Sequence, residues 1–246
     1  MVTVMLLPSV VFAYSDLPTD HPGALAITLL SERGIIKGNP NGTVAPDASV
    51  NRAEFLTMLY RASNKSLDKA DSAPCPQYRD VAGDAWYASV VCAASLAGEV
   101  GGYPDKTFRA HLPVSKVEAI KMLSTVLALP LTSSPAADVR AMAYTDVSPG
   151  AWYMLYVPAA FERGIVPLPG DDATKFFPAE QLTRARAAML IARALGLPID
   201  PVSSIAATSS NSAESSVESV SGNSASSAGS TRSRASRSSV ASSGPR

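Results

Sequence analysis

Three landmarks recur along the chain at one interval, and any fold must accommodate them. Asp16, Asp80 and Asp146 stand 64 and 66 residues apart, and Gly34, Gly98 and Gly164 repeat the same 64 and 66. Arg52, Lys116 and Arg184 are 64 and 68 apart. The two extra residues fall in one loop, because Gly34 to Pro46 spans 12 positions whereas Gly164 to Pro178 spans 14. A register shared by independent landmarks marks three copies of one unit. The copies occupy residues 14–63, 78–129 and 144–197, and residues 64–77 and 130–143, rich in Ser, Pro, Ala and Asp, read as linkers.

Each unit repeats one pattern. An aromatic residue and an Asp come first, as in Tyr14-Ser15-Asp16, Tyr78-Arg79-Asp80 and Tyr144-Thr145-Asp146. Six residues after the Asp stands Trp86 or Trp152, with Pro22 in the first unit. A first helix is expected next, stopping at Gly34, Gly98 or Gly164, where a glycine just past the helix end takes up the left-handed conformation. A loop rich in Pro, Asn, Asp and Gly follows, with an apolar residue (Val44, Phe108, and Phe176 or Phe177) to pin it to the core.

The second helix opens at Val50-Asn51-Arg52-Ala53-Glu54, echoed by Val114-Ser115-Lys116-Val117-Glu118 and Leu182-Thr183-Arg184-Ala185-Arg186. Asn51, Ser115 and Thr183 suit the N-cap position, and Glu54 and Glu118 complete capping boxes that Arg186 breaks in the third unit. The apolar face that follows is wide enough to meet neighbouring units, so three hairpins are expected to pack as one all-α domain.

Composition narrows the function classes. The net charge is zero, which argues against electrostatic capture by nucleic acid or an anionic membrane. Residues 203–246 contain 19 Ser and few large apolar residues, so the tail, 198–246, is expected to stay disordered. Met1 to Ala13 forms an apolar run ending Val11-Phe12-Ala13 and reads as a signal peptide. The run has no basic residue, which a start site further upstream would explain; it is too short to span a bilayer, and the alternative reading is a short hydrophobic arm packing on the domain. Cys75 and Cys92 fit an exported protein with one disulfide, contributing roughly 3 kcal/mol, or else two free thiols. Cys92 is expected to point outward, within reach of the linker. Neither Cys nor the unaligned His21 and His111 has metal-site spacing, and no nucleophile elbow or phosphate loop is present, so no cofactor, metal or enzyme activity is expected.

The chemistry-bearing residues each admit a structural reading. Asp16, Asp80 and Asp146 either hold a loop or cap, or contact a ligand. Trp86 and Trp152 are either core or an apolar plate for a sugar ring. A cation in a helix's first turn opposes the macrodipole, so Arg52, Lys116 and Arg184 need a compensating anion. A guanidinium beside free backbone N–H groups would receive a carboxylate well, and Lys116 supplies charge without the bidentate fork.

Taken together, the aromatic-x-Asp start, the Trp, the Gly, the turn-rich loop and the Thr-Arg-Ala-Glu-like helix opening resemble the S-layer homology domain, over about residues 14–197. The resemblance implies a pseudo-threefold helical bundle at a bacterial cell surface. It implies grooves between repeats that bind cell-wall polysaccharide with acidic substituents, or peptidoglycan-linked glycan. Carried onto this chain, the ligand-binding residues would be Arg52, Lys116, Arg184, Trp86, Trp152, Asp16, Asp80 and Asp146. The rival reading is a surface-layer component that assembles with other proteins through the same grooves. The missing Trp in unit one, Lys116 in unit two and Arg186 in unit three suggest unequal sites.

Overall fold

The computed structural model describes residues 14–65 and 78–199. The apolar run 1–13, Cys75 and the tail from residue 200 lie outside the described residues. Within them the chain is all-α, with seven α-helices, one 3-10 turn and only isolated β-bridges. The helices are α1 (Ala24–Glu32), α2 (Arg52–Ala62), α3 (Ala88–Leu96), α4 (Lys116–Val126), α5 (Pro135–Met142), α6 (Val157–Glu162) and α7 (Arg184–Ala194). The 3-10 turn, Trp152–Leu155, precedes α6.

The first helices α1, α3 and α6 stop where the glycines predict. Gly34, Gly98 and Gly164 have φ of 68°, 71° and 64°. The next residue's N–H then reaches back to the helix, Ile35 to Leu30, Glu99 to Ala94 and Ile165 to Ala160, each at 2.9 Å.

The second helices α2, α4 and α7 form the interior. Phe55, Leu56 and Leu59, then Ile120 and Leu123, then Leu190 and Ile191, are fully buried in one continuous core. Their N-termini meet at the centre in a closed ring of backbone hydrogen bonds. Val50 N–H donates to the Leu182 carbonyl, Leu182 to Val114, and Val114 to Val50, at 3.0–3.1 Å. The first two N–H groups of each helix, which no helix satisfies internally, bond the neighbouring segment. Arg52 and Ala53 donate to Leu112 and Ala110, Lys116 and Val117 to Glu180 and Pro178, and Arg184 and Ala185 to Ala48 and Pro46.

The N-caps follow the sequence reading. Asn51 Oδ1 accepts from Glu54 N–H at 2.9 Å while Asn51 N–H donates to Glu54 Oε2 at 2.9 Å. Ser115 N–H and hydroxyl both donate to Glu118 Oε2, at 3.0 and 2.7 Å. Thr183 accepts from Arg186 N–H at 3.3 Å, with no carboxylate to answer it.

Two expectations are corrected. Residues 130–143 are not a bare linker. They contain α5, whose N-cap Ser134 accepts from Ala137 N–H and bonds Glu162 at 2.7 Å, so the segment is docked on α6. Cys92, expected at the outer surface, is buried, as are its register counterparts Thr28 and Pro158. It is not a free thiol, and its expected partner Cys75 lies outside the described residues.

Candidate functional site

The three helix-opening cations all reach in the same rotational sense, into the loop of the next unit. Arg52, 5% exposed, donates through Nε to the Phe108 carbonyl at 3.1 Å and lies 4.9 Å from the Phe108 ring centroid. Lys116, 1% exposed, donates to the Phe176 carbonyl at 2.9 Å and to Asp171 Oδ2 at 3.0 Å. Arg184, partly exposed, donates to the Lys37 carbonyl at 2.8 Å. These side chains are tethers between segments. The sequence expectation of free backbone N–H groups beside them is also overturned, since those groups already serve the neighbour's carbonyls.

The compensating anion differs at each cation. Arg52 faces Glu118 at 3.4 Å, and Glu118 also accepts from the Tyr103 hydroxyl at 2.5 Å. Burial pushes the Glu118 carboxyl up, but the Tyr103 and Ser115 hydrogen bonds and the Arg52 charge hold it below the ordinary glutamate range. Burial and that same hydrogen bond push the Tyr103 phenol up. Lys116 and Arg186 both pair with Asp171, and Glu180 stands 3.4 Å from Arg186. Burial again acts upward on Asp171, and its Arg186, Leu168 N–H and Lys116 partners outweigh it. Arg184 forms no ion pair within 4.0 Å among the described residues.

The recurrent aspartates are loop clasps. Asp16 accepts from Val44 and Ala45 N–H at 2.8 and 2.7 Å. Asp80 accepts from Phe108 and Arg109 N–H at 2.7 Å each, and Asp146 from Phe176 and Phe177 N–H at 2.8 Å each. In each unit the second donor sits in the left-handed region, with φ of 51° at Ala45, 59° at Arg109 and 53° at Phe177. An L-residue there is strained, and the carboxylate holds it. Both oxygens being engaged, the ligand role expected of these aspartates finds no support in the geometry.

The tryptophans are not core. Trp86 is 62% exposed and Trp152 54% exposed. Each lies beside the second helix of the preceding unit and helps wall a groove. Trp152 lines a groove of about 290 Å³ with Arg52, Tyr103, Glu118 and Lys121. Lys121 Nζ lies 5.5 Å from the Trp152 ring centroid. Trp86 lines a groove of about 530 Å³ with Arg33, Tyr60, Arg61 and Lys65. Where a third such groove would form, Pro22 replaces the Trp and the Asp171 cluster holds the cation. Trp152 therefore shares a groove with Arg52, not with Arg184. Sequence reasoning missed Tyr103, Lys121, Arg61 and Asp171. Only Asp171 carried a visible signal, since it stands in the loop that is two residues longer.

No helix among the described residues is long and apolar enough to cross a membrane. Comparison with known proteins agrees with the resemblance. A model of the S-layer homology domain matches residues 13–56 and 77–120. A cellulosome-anchoring protein of Acetivibrio thermocellus is 31% identical over 153 residues, 58% of this chain and 33% of that protein. An S-layer protein of Bacillus thuringiensis subsp. finitimus is 28% identical over 181 residues, 74% of this chain and 21% of that protein. An amylopullulanase of Thermoanaerobacterium thermosulfurigenes is 29% identical over 166 residues, which are 67% of this chain and 8% of the enzyme. The chain thus spans a third or less of the length of these relatives.

Proposed function

We propose that this chain, which belongs to the S-layer homology domain family and is a bacterial cell-surface protein, attaches noncovalently to anionic cell-wall polysaccharide through the grooves between its units. The observation that carries this reading is the placement of the tryptophans. Two large apolar plates stand in solvent beside grooves whose linings include Arg or Lys side chains, the combination that stacks on a sugar ring and pairs with its acidic substituent. We take the third segment to be a unit of the same kind as the two that match the family, on the strength of its shared place in the central ring. The small share of the amylopullulanase that matches supports reading the chain as an anchoring module without enzymatic activity of its own.

Retention on purified bacterial sacculi tests the proposal. Native sacculi should hold the chain at least tenfold more tightly than sacculi stripped of acidic polysaccharide. Equal retention on both would refute glycan recognition. It would favour the alternative of a surface-layer component that docks other proteins, a reading that similarity to an S-layer protein keeps open.

A further inference from the structure

We infer that the three inter-unit sites are unequal by construction, and that acidic-ligand binding is concentrated in the groove walled by Trp86. The inference rests on the anchoring reading above and specifies its site. The argument is one of charge. A cation already paired with an internal carboxylate offers an external anion little, whereas an uncompensated cation in a half-buried groove offers its full attraction.

At the site centred on Lys116, Asp171 holds the position an external carboxylate would take. It accepts from Lys116 at 3.0 Å, from Leu168 N–H at 2.9 Å and from Arg186. This site has its anion built in, and it lacks the tryptophan. In the Trp152 groove, Glu118 is paired with Arg52 at 3.4 Å and Glu99 with Lys65, so two carboxylates already occupy the lining and Lys121, on the rim, is its single cation without an ion pair among the described residues.

The Trp86 groove differs from both. Its lining includes Arg33, Arg61 and Lys65 and no carboxylate. Lys65 is paired with Glu99, but Arg33 and Arg61 have no ion pair within 4.0 Å among the described residues. Arg61 donates to the Ile35 carbonyl at 3.3 Å, and Arg184 donates to the Lys37 carbonyl two residues on. One loop therefore brings two guanidiniums together, and burial and the Arg184 charge both pull the Arg61 pKa down. Glu54, the counterpart of Glu118, is turned to its own cap and forms no ion pair with Arg184. Arg33 and Arg61, which line the groove without a carboxylate partner, form with the neighbouring Arg184 charge a site for a carboxylate or phosphate on a sugar, with Trp86 as the plate.

The test compares variants of the full chain on native sacculi. Trp86→Ala and Arg61→Gln should each weaken retention tenfold or more, whereas Trp152→Ala and Lys121→Gln should stay within about threefold of the parent. Equal losses at the two tryptophans would overturn the inference while leaving the anchoring role intact. A parent chain held equally by stripped sacculi would sink the anchoring role itself. Trp86 is solvent-exposed, so its variant tests the site even if Arg61→Gln lowers the melting temperature. Galacturonate or glycerol phosphate should compete at equal ionic strength, the better competitor identifying the acidic group. Equal competition by neutral galactose would refute an anion site.

Discussion

Asp171→Asn is the perturbation that most directly separates a tether from a ligand-binding cation. The Lys116 side chain is 1% exposed and that of Asp171 6%, at 3.0 Å, so water screens the pair poorly. At an effective dielectric of about 20 the attraction is about 5 kcal/mol before desolvation is counted. Removing the carboxylate leaves the ammonium with the Phe176 carbonyl at 2.9 Å and Glu180 at 3.8 Å. An uncompensated buried charge of this kind costs about 3–5 kcal/mol. For a fold of this size that lowers the melting temperature by about 6–20 °C. Lys116→Met is the control. It keeps the apolar stem against the Phe176 ring and leaves Asp171 with Arg186 and the Leu168 N–H, so the loss is about 1–2 kcal/mol. Calorimetric melts at pH 7 read both. If Lys116→Met costs as much as Asp171→Asn, the carboxylate is not the keystone of the cluster and the reasoning fails.

Further consequences can be checked alongside. Arg52→Ala should lose about 2–4 kcal/mol in urea titration, since it breaks a charge-assisted bond to Phe108 and removes the cation that faces Glu118; an unchanged midpoint would mean the side chain is not a tether. Asp146→Ala should cost about 2 kcal/mol by releasing two N–H groups and the left-handed Phe177, a loss read from the same titration. Asp171 and Glu118 both have folded pKa values below the ordinary carboxylate range, so their contribution is complete above about pH 4.5 and is lost as acid protonates them. Thermal melts from pH 7 to pH 3 should show that fall, and Asp171→Asn should flatten it.

How far the chain could be read before its structure depended on the range of each interaction. Helix ends, capping boxes and the glycine stops are local, and Asn51, Glu54 and Gly34 announced them correctly. α5 was also locally signalled, because Ser134-Pro135 is an N-cap followed by a proline in the first turn; a Ser- and Pro-rich composition hid it. The roles of Arg52, Lys116 and Arg184 could not be read, because their partners lie 56, 60 and 147 residues away in sequence. One coupled change was present but mute. Gly38 and Gly102 make room for the Tyr14 and Tyr78 rings, whose hydroxyls meet Ser31 and Ser95. The third unit puts Leu168 and Phe161 at the matching places, and Tyr144 stacks on Phe161 instead.

The ring of bonds through Val50, Leu182 and Val114 makes this architecture different in kind from an open solenoid. A linear array can shed an end repeat and keep the rest, because each repeat leans only on its neighbours. A closed cycle has no end to shed. Deleting the third segment would orphan the Lys116 and Val117 amides and the Pro46 and Ala48 carbonyls at the same moment. A chain trimmed to the two segments that the family model matches could therefore not keep this closed geometry.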